Sequence, residues 1–194
     1  MSNTRELIGR ISNSELGELL KPMSQFIDLL PSGNIQKVPE DLLLFLVSSY
    51  DYNSSPVRAE HFVRMFIRVF EDKTKFLRSF VSVFSELESD QLVLLRQLRS
   101  SEIVIVDKLD LDRVNNQFIN REVIETNFPV GLLSFPDHQE LYINHLVSRN
   151  LVEWPVFKQD PIVQNSVQTG VKRHSKILLS AFGKAFSSFI FQPL

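Results

Sequence analysis

The chain contains no cysteine among its 194 residues. Disulfides, thiolate nucleophiles and cysteine metal sites are therefore excluded, and a chain without disulfides is typical of a reducing compartment. The opening residues, "MSNTRELIGRIS", lack the apolar core of a signal peptide. The longest nearly uncharged apolar run, residues 42–50, is much shorter than the roughly 20 residues that cross a bilayer. We therefore expect a cytoplasmic protein without a membrane span.

An excess of positive charge is also lacking. The chain has 21 lysine and arginine residues against 23 aspartate and glutamate residues, which gives a formal net charge of -2. No global positive field attracts it to nucleic acid or to an anionic membrane, so any such binding needs a local patch. Tryptophan and tyrosine are scarce, with one and three residues, whereas phenylalanine occurs 16 times. This composition predicts a core filled by rings without polar atoms.

Catalytic motifs are missing as well. The four histidines are isolated in sequence, the HExxH pattern is absent, and no glycine-rich loop is long enough to bind phosphate. His138 and His145 share a helix face, where Asp137 or Glu140 would complete a metal site, but a surface histidine and a partly buried one are the simpler interpretation. We expect no catalytic residue, metal or cofactor. An enzyme with an unrecognised pocket remains an alternative.

The first part of the chain has the pattern of a helical bundle. Apolar residues recur at helical spacing from Ser14 to Leu30 and from Val57 to Phe84, and Pro39 begins a further helix. The sequence therefore predicts a mainly α protein in which residues 1–86 form an N-terminal helical region. Residues 87–194 are predicted to form a second module.

The second module follows the element order of a winged helix, with three helices and a small antiparallel sheet. A helix from Ser89 is followed by a strand at 103–106 and a helix at 111–126, and Asp137 is expected to cap a third helix. Strands 151–158 and 171–179 then form a hairpin with a long polar loop. A C-terminal helix capped by Ser180 closes the module, with Gly183 at a close approach and three rings buried: Phe182, Phe186 and Phe189.

One basic patch is a candidate interface. In a winged helix it lies where the wing meets the phosphate backbone. The helix expected to read bases, 137–149, carries Asp137 and Glu140 and only Arg149 as a cation, which is a poor set for base recognition. Nucleic-acid binding and contact with a protein partner both remain open for this patch, which comprises Lys158, Lys172, Arg173, His174 and Lys176.

Three motifs resemble the Abi-alpha family, bacterial proteins associated by name with abortive-infection phage defence. The first has Phe80, Leu87, Ser89, Asp90, Leu95 and Leu98 in "FLRSFVSVFSELESDQLVLLRQL". The second has Leu146, Leu151 and Val152 in "LYINHLVSRNLVEW". The last has Leu179, Ser180, Phe182, Gly183 and Phe186 in "ILLSAFGKAF". The chain departs from the family in "SRNLV", which replaces a glycine-leucine pair, in a serine for threonine in the last motif, and in lacking a His-Pro before Ser79.

The resemblance implies a role in phage defence and assigns no catalytic residue. Together with the missing catalytic motifs, it favours a non-enzymatic sensor or protein-interaction component whose partner is a second copy or another defence protein. The alternative is a DNA-binding winged-helix regulator that uses residues 171–176 of the wing.

Overall fold

The structure, a computed structural model, describes residues 49, 58, 61, 62 and 65 and the continuous stretch 78–191. The helices of that stretch are α1 (Arg78–Glu86), α2 (Ser89–Leu98), α3 (Gln139–Ser148) and α4 (Ala181–Phe191). Its strands are β1 (Ile103–Asp112), β2 (Gln117–Thr126), β3 (Val152–Glu153), β4 (Val156–Gln164) and β5 (Val167–Leu179). Two short 3-10 turns, Val130–Leu132 and Pro136–His138, lie between β2 and α3.

The described strands form one five-stranded antiparallel sheet around β5. β1 pairs along one side of β5, and β2 extends the sheet beyond β1. β4 and the short β3 share the other side of β5. Because side chains alternate along a strand, the sheet has two distinct faces. We call one face the inner face; it carries Ile103, Ile105 and Asp107 of β1 opposite Ile177, Ser175 and Arg173 of β5. The other is the outer face; it carries Val104, Val106 and Lys108 of β1 opposite Lys176, His174 and Lys172 of β5.

Both long hairpins turn on residues with positive φ. Asn116 has φ 51° between β1 and β2, where the Asp112 carboxylate also accepts the backbone N–H of Val114 at 2.9 Å. Asn165 and Ser166 have φ 50° and 65° between β4 and β5. Asparagine tolerates this region, and two consecutive positive φ values match the tight turn whose twist suits a hairpin.

The described residues divide into two compact units. One comprises the described residues up to Ser89 together with 188–191, and the other is Asp90–Ser187. In the first unit, the rings of Phe80 and Phe189 lie 5.3 Å apart and Arg58 donates to the carbonyls of Phe84 and Ser85 at the end of α1. In the second unit the inner face of the sheet and the helices supply the buried apolar side chains, which include Leu94, Leu95, Ile103, Ile105, Tyr142, Ile143, Leu146, Ile177 and Phe186.

The predicted mainly α fold class is wrong for the described residues, which form an α+β structure around the five-stranded sheet. Residues 111–126, predicted as a helix, are the end of β1, a turn and β2. Leu111, Val114 and Phe118 do recur at helical spacing, but the Asp112 turn and the β-branched residues of β2 favour a hairpin. The sheet therefore contains β2, which the predicted winged-helix sheet lacks, and β1 continues to Asp112 instead of ending at residue 106.

Two smaller predictions also fail. The long polar loop expected between 158 and 171 is mostly strand, because β4 and β5 continue to the tight turn at Asn165. Asp137 does not cap α3, since it lies inside a 3-10 turn begun by Pro136 and the helix starts at Gln139. The expected helix at 14–30 lies outside the described residues, as does the helix from Pro39 except for Ser49, which is helical. The boundary predicted between residues 86 and 87 stays a prediction.

The predictions for the C-terminal segment are confirmed, except for the burial of Phe182. Segments 151–158 and 171–179 pair through β3, β4 and β5. The Ser180 hydroxyl accepts the backbone N–H of Gly183 at 2.8 Å and so caps α4. A Cβ at Gly183 would overlap the carbonyl of Leu151, which explains the glycine. Phe186 and Phe189 are buried, whereas Phe182 is half-buried.

Candidate functional site

A buried carboxylate lies at the centre of the inner face. Asp107 of β1 is fully buried and lies opposite Arg173 of β5 in the strand register. Arg173 donates through Nε to one carboxylate oxygen at 2.9 Å and through Nη2 to the other at 2.8 Å. This two-bond arrangement is the strong form of an arginine–carboxylate pair. It joins two central strands through their side chains.

A second arginine reaches the same carboxylate from β2. Nε of Arg121 donates to Asp107 at 2.7 Å, and its Nη1 forms an ion pair with Glu140 of α3. The guanidinium carbon lies 4.9 Å from the ring centroid of Trp154, within cation–π range. Asn120, with φ 51°, lies at an irregularity in the β1–β2 register next to Arg121. Such a bulge redirects the next side chain, here towards the inner face.

The ring of Trp154 is held by a further hydrogen bond. Its Nε1 donates to the Ser175 hydroxyl at 2.9 Å, and that hydroxyl donates to the backbone carbonyl of Ile105 at 3.3 Å. The Trp154 ring, the Ser175 side chain and the backbone of β1 are thus linked by hydrogen bonds. We call this group the Asp107 cluster, which comprises Asp107, Arg121, Glu140, Trp154, Arg173 and Ser175.

Electrostatics keep Asp107 and Arg173 ionised. Burial by itself would raise the pKa of Asp107, but the hydrogen bonds and charges of Arg173 and Arg121 outweigh this and the pKa is lowered. The hydrogen bond to Asp107 raises the pKa of Arg173. Two arginines balance two carboxylates in the cluster. Because both oxygens of Asp107 already accept bonds from cations, the carboxylate is a poor proton acceptor and is suited to positioning β2, β5 and α3.

The structure separates the predicted basic patch into two parts. Arg173 points to the inner face and belongs to the Asp107 cluster. The other four lie along β4 and β5 on the outer face, where Lys172 is opposite both Lys108 and Asp160. Lys158 and His174 contact Asp160 at 2.8 Å and 3.1 Å, and Lys176 contacts Glu102 at 3.3 Å. Carboxylates therefore neutralise much of the charge that sequence reasoning assigned to a wing.

The histidines do not form a metal site in the described residues. His138 stacks on Phe135, with ring centroids 5.6 Å apart, whereas Nδ1 of His145 lies 2.8 Å from the side-chain amide of Gln91. No group of three or more potential metal ligands occurs in the described part of the chain.

An exposed apolar surface lies on the segment between β2 and α3 and on the first turn of α3. Leu132, Phe135 and Leu141 are 57%, 60% and 65% exposed. We call Leu132, Phe135, His138 and Leu141 the linker surface. The backbone beneath it is fixed, because the buried carboxylate of Asp90 accepts the N–H groups of Ser134 at 2.9 Å and Phe135 at 3.0 Å.

Asp90 is held in its charged form by these bonds. Burial would raise its pKa, but the backbone N–H groups of Ser134 and Phe135, with side-chain bonds from Ser134 and Tyr142, lower it. Asp90 was one of the positions in the family resemblance. Its role in the structure is to anchor the linker to the start of α2.

Sequence reasoning missed both the Asp107 cluster and the linker surface. The alternation in "IVIVDKLDLD" places Asp107 on the same face as Ile103 and Ile105, which was a usable signal for a buried carboxylate. Arg121 and Glu140 carried no such signal, because they reach Asp107 and each other only through the fold of β2 and α3.

The described part of the chain is thus an α+β protein with an antiparallel central sheet, a buried charge cluster and an exposed apolar linker. The chain belongs to the family described as Abortive infection alpha, whose sequence model matches residues 13–190. No curated protein and no solved structure matches it. None of the described helices is long and apolar enough to cross a membrane.

Proposed function

We propose that the chain is a non-enzymatic component of an abortive-infection defence and acts by binding another protein through the linker surface. The name of its family associates the chain with phage defence. The observation that carries the binding role is the exposure of Leu132, Phe135 and Leu141 beside a backbone that Asp90 fixes at Ser134 and Phe135. Exposed apolar side chains on a fixed backbone are typical of a protein-binding site, since little ordering entropy is lost on binding.

The arrangement of the buried charges supports a role without catalysis. Asp107 accepts bonds from two arginines, and Asp90 from two backbone N–H groups. Catalytic acids and bases usually keep an open coordination position towards a cleft. In these two residues the bonding capacity serves the fold.

The test is a plaque assay on a bacterial host that expresses the full chain. We expect wild type to reduce plaque formation and the double variant Leu132→Asp/Phe135→Asp to lose this protection, because charges on the linker surface prevent an apolar contact. The matched control is Val156→Asp/Val163→Asp on β4, where both residues are also exposed. Protection by the linker variant equal to that of wild type would refute the proposed binding surface.

A photo-crosslinking phenylalanine analogue at position 135 identifies the partner in the same cells. We expect a discrete cross-linked protein species from position 135 and none from the same analogue at position 163. Equal labelling from both positions would show that the linker surface is not selective.

A further inference from the structure

The two outer strands of the described sheet are protected to different degrees. β4 contains Pro161, which cannot donate a backbone hydrogen bond, and Lys158 with its partner Asp160. Proline and charged residues are the usual protection against pairing with another chain. β2 has neither proline nor lysine, and all of its residues except Arg121 and Thr126 are exposed. Its exposed apolar side chains are Phe118, Ile119, Val123 and Ile124.

The register with β1 assigns the side chains of β2 to the two faces. Val123 lies opposite Asp107 and so is on the inner face, whereas Glu122 lies opposite Lys108 on the outer face. Glu125 lies opposite Val106, also on the outer face, because an irregularity at Ile124 shifts the alternation. The two glutamates are therefore neighbours on one face although they are three residues apart in sequence.

The charge available on this strand is negative. Arg121, its one cation, is bound to Asp107 and Glu140 on the inner side. Glu122 and Glu125 make no ion pair or hydrogen bond within the described part of the chain. A strand added beside β2 thus meets two carboxylates on the outer face and apolar side chains, such as Val123 and Phe118, on the inner face.

We propose that β2 accepts an extended strand of a protein partner that carries lysine or arginine on one face and apolar side chains on the other. Backbone hydrogen bonds to the sheet edge provide affinity, and the cations opposite Glu122 and Glu125 provide selectivity. A second copy of this chain is a poor occupant, because two β2 strands side by side bring like carboxylates together. The inference rests on the proposed binding function and adds the chemistry of a partner segment.

The probe is a fluorescein-labelled peptide of alternating lysine and valine, ten residues long to match β2. A peptide of alternating glutamate and valine is its counterpart. We expect the full chain to bind the lysine peptide and not the glutamate peptide in fluorescence anisotropy. The double variant Glu122→Lys/Glu125→Lys should bind the lysine peptide with about tenfold lower affinity than wild type does, and it should bind the glutamate peptide instead. A misfolded variant does not gain the opposite preference, so this reversal separates lost charge from lost fold.

A pair of variants tests the position of the peptide. Ile124→Lys should reduce binding of the lysine peptide, whereas Val163→Lys on β4 should not, although the two residues are similarly exposed at 52% and 56%. Amide hydrogen exchange of residues 117–126 should slow on binding, since new backbone bonds protect the strand. Lack of binding by wild type, unchanged exchange in β2, or equal effects of the two variants would overturn the proposal.

The peptide assay is independent of the plaque assay. If wild type protects the host but does not bind the lysine peptide, the inference about β2 fails and the proposed function stands. If the peptide binds as expected but the linker variant protects as well as wild type, the hypothesis that the linker surface binds the partner is refuted. The inference that β2 binds an extended strand then stands. Sedimentation of the free chain as a dimer that Glu122→Lys/Glu125→Lys dissociates would assign the edge to a second copy and overturn the proposed partner.

Discussion

Asp107 accepts hydrogen bonds from Arg173 and Arg121, which belong to the strands on either side of β1. We expect Asp107→Asn to lower the free energy of unfolding by about 3 kcal/mol, because it removes the charge that compensates two guanidinium groups. The effect lies at the low end of the range for a broken buried pair, since Glu140 still neutralises Arg121. Urea denaturation at neutral pH measures it. The control Glu122→Gln, at an exposed position of the edge strand β2, should change the free energy of unfolding by less than about 0.5 kcal/mol.

The pH dependence of the same variant tests the electrostatic explanation. The pKa of Asp107 is lower in the folded chain than in the unfolded chain, so the stabilisation is present above the ordinary value of about 3.9 and is lost as pH falls through the folded-state value. The difference in the free energy of unfolding between wild type and Asp107→Asn should therefore stay constant from about pH 7 to 5 and shrink below about pH 4. A difference independent of pH would mean that the variant acts through packing and not through charge.

At the scale of single residues, the sequence indicates the element in which a residue lies more readily than it indicates the residue's contacts. The β-branched run before Asp107 and the segment 171–179 were both recognised as strands. Arg173 was assigned to the basic patch as a candidate contact for nucleic acid or a protein partner. Its actual partner lies 66 residues earlier in the chain, and a single sequence does not report a contact of that range.

The close approach of α4 to Leu151 makes Gly183 the best probe of the C-terminal element. On helix propensity alone, Gly183→Ala would stabilise the chain by about 1 kcal/mol. We expect the opposite sign and a loss of about 2 kcal/mol or more, because a Cβ overlaps the Leu151 carbonyl and α4 has to shift. Thermal unfolding followed by circular dichroism measures the change.

The matched control is Ala185→Gly, at an exposed position of the same helix. It should cost about 1 kcal/mol through propensity. A Gly183→Ala variant more stable than wild type would show that the helix moves away from Leu151 at little cost, and the packing explanation of this glycine would then be wrong.

Elements with one exposed face and one buried face were predicted well, and elements exposed on both faces were not. α2, α3 and the end of β5 have a distinct buried side and were placed close to their observed positions. β2 and most of β4 are exposed on both sides, so their sequences lack the alternation that identifies a strand. Pairing with β1 and β5 decides their structure, and this pairing is a property of the whole sheet.

At the scale of the whole molecule, positive and negative charges nearly cancel in total, and many of them also form ion pairs. The formal net charge is -2. On the outer face of the sheet, cations of β4 and β5 contact Asp160 and Glu102, and on the inner face the two arginines contact Asp107 and Glu140. Hydrogen bonding and the charge of Lys158 lower the pKa of Asp160, which keeps that carboxylate ionised at neutral pH. Mixed-sign faces of this kind repel a phosphate backbone as much as they attract it.

The nucleic-acid alternative can be tested on this basis. We expect no shift of a DNA duplex by the wild-type chain in a gel assay at about 50 mM salt, because binding at low salt depends on uncompensated cations. The double variant Glu102→Gln/Asp160→Asn frees Lys158, Lys176 and His174 from their carboxylates and should bind duplex weakly, with an affinity that falls steeply as salt rises. Binding by wild type that is lost in Lys172→Ala/Lys176→Ala would instead identify the outer face as a DNA-binding surface. Failure of both proteins to bind would mean that the exposed lysines are too few to hold a duplex even when the carboxylates that contact them are removed.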